Sequence, residues 1–311
     1  MDLCSHGGLL MKIQKGFTLI ELMIALALGL IVVAAAAMLF LTGVKSSQVQ
    51  QGMADLQDNA NFGLNYITQD LRLANLNTVE AAMNDALLHG GVVLSQSNLP
   101  TGIQADVDDV LLSRSNGDAV GSDNEWTGAS NVTQNSDQLV IQYKPAQIGG
   151  FDCEGREITT VDRIVIQRYF LRVDANAGAG EGNPLALACD AGNYSDTNLA
   201  RYGDAGEIIM KRVDHFRVLL NVSNANGNRR YIGIHEYMAL TGTKPRILGV
   251  SLGVLARSGQ STGQDVSTAQ NNAFVVLDQN VAIGANGNPQ GFIRQVVTQE
   301  VAIRNALGER E

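Results

Sequence analysis

The chain has 311 residues, 45% of them hydrophobic and 17% charged, with a formal net charge of −9. This length and apolar content allow one large or two ordinary domains with packed cores and exclude wholesale disorder. The acidic balance argues against a body that binds nucleic-acid backbones, which needs a basic face, and 33 Gly against 5 Pro suit a loop-rich β protein.

The first element in chain order is KGFTLIELMIALALGLIVVAAAAMLF, from Lys15 to Phe40. No charge occurs from Leu22 to Val44. A helix of about 23 residues reaches roughly 35 Å, enough to cross a bilayer core of about 30 Å. Lys12 and Lys15 precede it, so the positive-inside rule places the short N-terminal side in the cytoplasm and exports the remainder. Three readings compete: a cleaved signal peptide cut near Ala34–Ala37, a plain signal anchor, and a prepilin-type signal. Glu21 separates them. A carboxylate at membrane depth costs on the order of 2.5–3.5 kcal/mol, and only the third reading gives it a use.

Gly16-Phe17-Thr18-Leu19-Ile20-Glu21 resembles the class III, or prepilin, signal: a basic leader, a Gly, a bond that is cut, an N-methylated Phe, and a Glu fifth in the mature chain. The resemblance implies that a prepilin peptidase cuts between Gly16 and Phe17 and methylates the new amine. That amine is a cation in the apolar layer. Glu21 of one subunit can pair with the Phe17 amine of a neighbour, so neither charge stands alone in a low dielectric. The carboxylate then acts as a docking group for an assembly. Met11–Gly16 is a more usual leader than Met1–Gly16, which places the expected start at Met11 and Cys4 outside the product.

Beyond Lys45 the helix is expected to continue. Met53, Leu56, Ala60, Leu64, Ile67, Leu71 and Ala74 recur at three- and four-residue steps, and Asp55, Asp58, Asn61, Asn65, Gln69 and Arg72 fill the other face. The pattern predicts one helix from Phe17 to about Asn75, ending near Asn75–Thr78, with Gly29 and Gly43 as soft points. Strands are predicted at Asp109–Ser113, Gln138–Lys144, Arg163–Asp174, Glu207–Val222, Ile247–Arg257 and Phe292–Arg304. Loops are expected at Ser115–Ser136, Ala175–Asn183, Ala191–Gly206, Asn224–Arg229, Ser258–Asn272 and Gly284–Gln290. The expected fold class is α+β: a long N-terminal helix on an antiparallel β head. The division is 1–16 leader, 17–44 membrane and assembly half of the helix, 45–78 amphipathic half, and 79–311 exported head.

With Cys4 removed or cytoplasmic, Cys153 and Cys189 form an even pair. That is the arithmetic of an exported domain with one disulfide, the alternative being two buried thiols. Two Cys alone make no zinc site, and His6, His89, His215 and His235 show no ligand spacing.

In the head, Asp152-Cys153-Glu154-Gly155, Tyr169-Phe170 and Leu185-Ala186-Leu187-Ala188-Cys189 are followed by Val213-Asp214-His215-Phe216-Arg217. Then come the run Gly249–Ser258 and Val301-Ala302-Ile303-Arg304-Asn305. In order and spacing these resemble the PilW family of minor pilins, over essentially the whole mature chain. The resemblance implies a type IV pilin-like fold, a Cys153–Cys189 disulfide, and a non-enzymatic subunit that initiates pilus assembly. The implied partners are other minor pilins, the major pilin, a tip adhesin, the prepilin peptidase and an inner-membrane assembly platform. The implied path runs from the inner membrane, head in the periplasm, to the surface pilus, where it supports twitching motility, adhesion or DNA uptake. A minor pseudopilin of type II secretion shares the signal and is the nearest alternative.

Gly249-Val250-Ser251-Leu252-Gly253 matches the G-x-S-x-G nucleophile elbow, but the apolar run continues as strand where a helix should start. That disfavours a membrane-anchored hydrolase. His235-Glu236 lacks the second His of a zincin. Asp106–Asp109 and Ser122–Glu125 offer oxygens to calcium but fit no EF-hand loop, so no metal or other cofactor is expected. Trp126 is read as packing or as a partner contact. Arg168, Arg172, Lys211, Arg212, Arg217, Arg229 and Arg230 are read as scattered surface cations, with nucleic acid an unexpected partner.

Overall fold

The computed structural model describes residues 16–121, 124–178, 182–259, 273–284 and 291–308. It divides into two compact units, Met1–Gln48 and Val49–Glu311. Helix α1 (Leu19–Leu73) contributes residues to both.

In the first unit every described residue, 16–48, is exposed. The helix is long and apolar enough to cross a membrane by length and composition. Gly29 and Gly43 lie inside unbroken helix. Each lowers local helix propensity by up to about 1 kcal/mol, and the Leu- and Ala-rich flanks offset that.

In the second unit α1 buries Gly52, Leu56, Ala60, Gly63, Leu64, Ile67, Thr68 and Leu71. These steps of three and four make one face. The stripe read from the sequence holds, except that Met53 is 43% exposed. Gly52 is the buried residue there, and a Cβ on it would touch Ser258 at an ordinary 3.6 Å. At Gly63 the approach is closer: a Cβ would lie 2.5 Å from Met210 Cε. The helix stops at Leu73 because Asn75 turns left-handed, φ 62°. Asn75 Nδ2 donates to the carbonyls of Glu80, Ala81 and Asn305, and its Oδ1 accepts from Gly91 N. One asparagine thus ends the helix and ties it to three later segments.

Among the described residues every strand pairs antiparallel. β1 (Ala119–Val120) and β2 (Asn124–Glu125) form a small ribbon. β3 (Leu139–Tyr143), β4 (Ile164–Val173), β5 (Leu185–Ser195) and β6 (Asn198–Ala200) follow in that order in one sheet. β7 (Glu207–Lys211) also pairs with β5. A second sheet uses β8 (Val213–Ser223), β9 (Arg229–Gly233), β10 (Arg246–Arg257) and β13 (Arg294–Ala302). Its order is β13-β10-β8-β9. Helix α2 (Ile234–Ala239) follows β9, and β11 (Ala273–Val276) and β12 (Gln279–Ala282) form a hairpin. One core cluster joins Leu64, Ile67 and Leu71 of α1 to Leu139, Ile141 and Tyr169 of the first sheet and Phe216, Val250 and Leu252 of the second. The fold is α+β.

Several sequence expectations fail locally. Asp109–Leu111 is a turn of 3-10 helix, not a strand, and Asp109 pairs there with Arg114 at 3.3 Å. The expected strand Glu207–Val222 breaks at Arg212, φ 61°, so β7 and β8 enter different sheets. The expected loop Ala191–Gly206 carries the end of β5 and all of β6, which pair from Asn193 to Ser195. Residues 1–15 of the expected leader, Ser122, Asp123, residues 179–181 and most of the expected loops 258–272 and 284–290 lie outside the described residues.

Candidate functional site at the N-terminus

Gly16, Phe17 and Thr18 precede α1, outside regular secondary structure and exposed, and Phe17 is 90% exposed. The Gly16–Phe17 bond is therefore outside the helix. Leu22 N donates to Thr18 O at 3.2 Å, the first intrahelical bond. Thr18 N and Thr18 Oγ1 each donate to Glu21 Oε2 at 2.9 Å, and Glu21 N donates to Thr18 Oγ1 at 3.3 Å. This reciprocal pair is a capping box: Thr18 is the N-cap and Glu21 the third helical residue. Glu21 Oε1 has no donor among the described residues.

Sequence reasoning missed Thr18. The signal was present as Thr18-x-x-Glu21 ahead of an apolar run. It also gives Glu21 a use within its own chain: it holds the helix N-terminus, where backbone N–H groups lack partners and the dipole favours an anion. Pairing with a neighbour is thus not the carboxylate's only role.

Cys153 and Cys189 form a disulfide with Cα atoms 6.1 Å apart. Both are buried in the main core. Tyr66 of α1 donates its hydroxyl to Cys153 O at 3.1 Å, so the linked turn is also fastened to the helix.

The other candidates resolve structurally. Ser251 sits mid-strand in β10, 3% exposed, paired to Leu219 and Glu300 on either side. A flat strand gives no elbow. His235 Nδ1 lies 3.0 Å from Asp118 Oδ1. Trp126 donates Nε1–H to Ser136 O at 2.8 Å, which fits packing against the head. Two expected surface cations are buried instead. Arg168 pairs with Asp190 at 2.8 Å, and Arg217 bridges Asp137 at 3.1 Å and Asp278 at 2.8 Å. Buried charges need such partners, and the strand sequences do not reveal them because the partners lie 22, 80 and 61 positions away. Arg229 and Arg230 are exposed as expected.

With that geometry in hand, the chain is that of a protein with a capped apolar helix at its N-terminus and a disulfide-linked antiparallel head. Residues 11–37 match the family model described as the prokaryotic N-terminal methylation motif. This is the signal of type IV prepilins, and it covers a small part of the chain. A type IV-like pilin from Thermus thermophilus is a structural neighbour at 12% identity and a TM-score of 0.40, covering 81% of this chain and 96% of its own. No curated protein matches the sequence.

Proposed function

We propose that this chain is a minor pilin of a type IV pilus, similar to the PilW family, with no enzymatic role. The observation that carries the reading is the methylation motif placed on an exposed, capped, membrane-length helix. The prepilin peptidase cuts after Gly16 and methylates Phe17. Residues 17–44 hold the protein in the inner membrane, and the head, 79–311, lies in the periplasm behind the amphipathic half, 45–78. On assembly Glu21 pairs through Oε1 with the Phe17 amine of a neighbouring subunit, while Oε2 keeps its bonds to Thr18. The helix leaves the membrane for the fibre, where apolar packing of 22–44 supplies cohesion.

In this role the protein primes assembly with other minor pilins, the major pilin and a tip adhesin on the inner-membrane platform. It sits at or near the tip. Motility, adhesion or DNA uptake follow from the fibre and not from any chemistry of this chain.

Glu21→Ala tests the reading in cells. Sheared surface fibres should contain the wild-type chain and lack the variant, while both are processed in the membrane. Crosslinked partners of the wild type should be pilus subunits. Recovery of secretion pseudopilins alone would move the protein to a type II secretion system. Equal fibre incorporation of the variant would remove the proposed role of Glu21.

A further inference from the structure

Three carboxylates from distant parts of the chain meet beside the disulfide. Glu154, Asp190 and Asp204 each offer an oxygen, and these oxygens all lie within 4.8 Å of one another. Cys153–Cys189 holds the 152–156 turn against β5, which puts Glu154 opposite Asp190. Gly206 brings the 203–206 turn equally close: its φ is 60°, and a Cβ there would lie 2.2 Å from Cys189 O.

Asp190 is fully buried. Its Oδ2 accepts from Arg168 Nε at 3.0 Å, Arg168 Nη2 at 2.8 Å and Gly203 N at 3.0 Å. Its Oδ1 is buried with no hydrogen-bond partner. Such an oxygen is costly, because an unmet charged acceptor loses its hydration for nothing. Glu154, its side chain 7% exposed, accepts from Ala191 N at 3.1 Å through Oε2. Asp204 is exposed, and its Oδ1 accepts from Gly206 N at 2.7 Å.

Arg156 marks where a cation sits. Its Nη2 contacts both Glu154 Oε2 and the Ala191 carbonyl oxygen. The side chain is 31% exposed, and its Nε also bonds Asp152 Oδ2 at 3.1 Å. It can therefore withdraw Nη2 and remain paired.

We propose that Glu154, Asp190 and Asp204, with the Ala191 carbonyl, form a calcium-class cation site in which Arg156 is the internal placeholder. The donors are all oxygen, without imidazole or free thiolate, which selects a hard cation over zinc or copper. The exposed side, at Asp204, leaves room for the waters that complete a shell of about 6–8 oxygens. Magnesium demands a tighter octahedron than two turns packed on one strand provide. The site fastens the disulfide turn and the 203–206 turn to the same strand, so its effect is on the stability of that edge. It does not depend on the pilin assignment.

The test uses the full chain in detergent with the disulfide intact, and calcium chloride as the probe against magnesium at matched ionic strength. The expected result is a saturable rise in Tm of about 3–5 °C at roughly ten times Kd, with Kd about 10⁻⁴–10⁻³ M. Asp204→Asn should weaken calcium binding roughly tenfold or more without lowering the calcium-free Tm, because it removes one of three crowded negative charges. Arg156→Gln should lower the calcium-free Tm and tighten calcium binding. The proposal fails if calcium gives no saturable rise, if magnesium gives the same rise, or if Asp204→Asn responds like the wild type. It also fails if Arg156→Gln is destabilised and calcium does not restore it, because Arg156 is then the resident cation.

Discussion

Helix α1 contains two regions that use their side chains in opposite ways. From 19 to 48 it is the most apolar part of the chain and is wholly exposed. From Gly52 to Leu71 it is amphipathic, and its apolar stripe lies in the head's core. Hydrophobicity therefore does not report burial within one subunit. The half that is apolar all round is exposed along its whole described length, as expected of a segment made for lipid or for other helices. The half that is apolar on one side is satisfied by its own head. One acid from each half, Glu21 and Asp70, shows the same difference. Among the described residues Glu21 bonds only to Thr18, three residues away, whereas Asp70 accepts a 2.6 Å hydrogen bond from Tyr169 of β4, 99 positions on.

The contrast predicts where stability resides. The largest effect should come from the disulfide, which lies wholly in the second unit. Cys153→Ala with Cys189→Ala should cost about 4 kcal/mol of head stability in denaturant unfolding, because it frees a loop of 36 residues. Next comes a matched pair of leucines on one helix. Leu64→Ala should cost about 3 kcal/mol, through lost transfer energy and a cavity. Leu28→Ala, at a position 59% exposed, should leave head unfolding unchanged. If both leucines cost the same, the division drawn here is wrong.

Acid–base behaviour sharpens the comparison further. Burial pushes the Asp70 carboxyl up to about 6, against the opposing hydrogen bond from Tyr169. The folded state then holds this proton more tightly than the unfolded chain. Stability from this group is greatest below about pH 4 and falls as pH rises to about 6, by about 1–3 kcal/mol. Asp70→Asn should remove that slope, so the stability difference between variant and wild type should widen in the variant's favour from pH 4 to pH 7. A constant difference across that range would mean that Asp70 ionises as it does in water.

The smallest effect is at the cap. Thr18→Ala should lower the stability of the N-terminal helix by about 1 kcal/mol, read as lost helicity in a detergent-bound peptide spanning 17–48. Head unfolding should not change.

Much of this was legible in the sequence because it is local and periodic. The buried stripe from Leu56 to Leu71 and the strands around Gln138–Lys144, Arg163–Asp174 and Ile247–Arg257 follow from spacing and composition, and the methylation motif was legible as a resemblance carried by Gly16–Glu21. What was not legible depends on single backbone conformations or on distant partners. Nothing in Glu207–Val222 announces that Arg212 turns left-handed and splits one strand into two sheets. Nor does the Ala191-Gly192 pair look like strand. It is strand because Gly192 lets Ala200 O and Tyr202 approach, each within 2.7 Å of where a Cβ would sit. The convergence of Glu154, Asp190 and Asp204 joins turns 50 residues apart in sequence and is set by the disulfide and by Gly206. Adjacent acids such as Asp106–Asp109 catch the eye in the sequence, yet Asp109 is taken by Arg114. The Thr18 cap is the exception: Thr18-x-x-Glu21 is a local motif and stands in plain sequence.

The most direct test of the central claim is the exact mass of the N-terminal peptide, taken from membranes and from sheared surface fibres of cells with an intact prepilin peptidase. The account predicts a peptide that begins with N-methylated Phe17 in both fractions. A chain that begins after Ala37, or that still carries Lys15, would contradict it and leave Glu21 as no more than a helix cap.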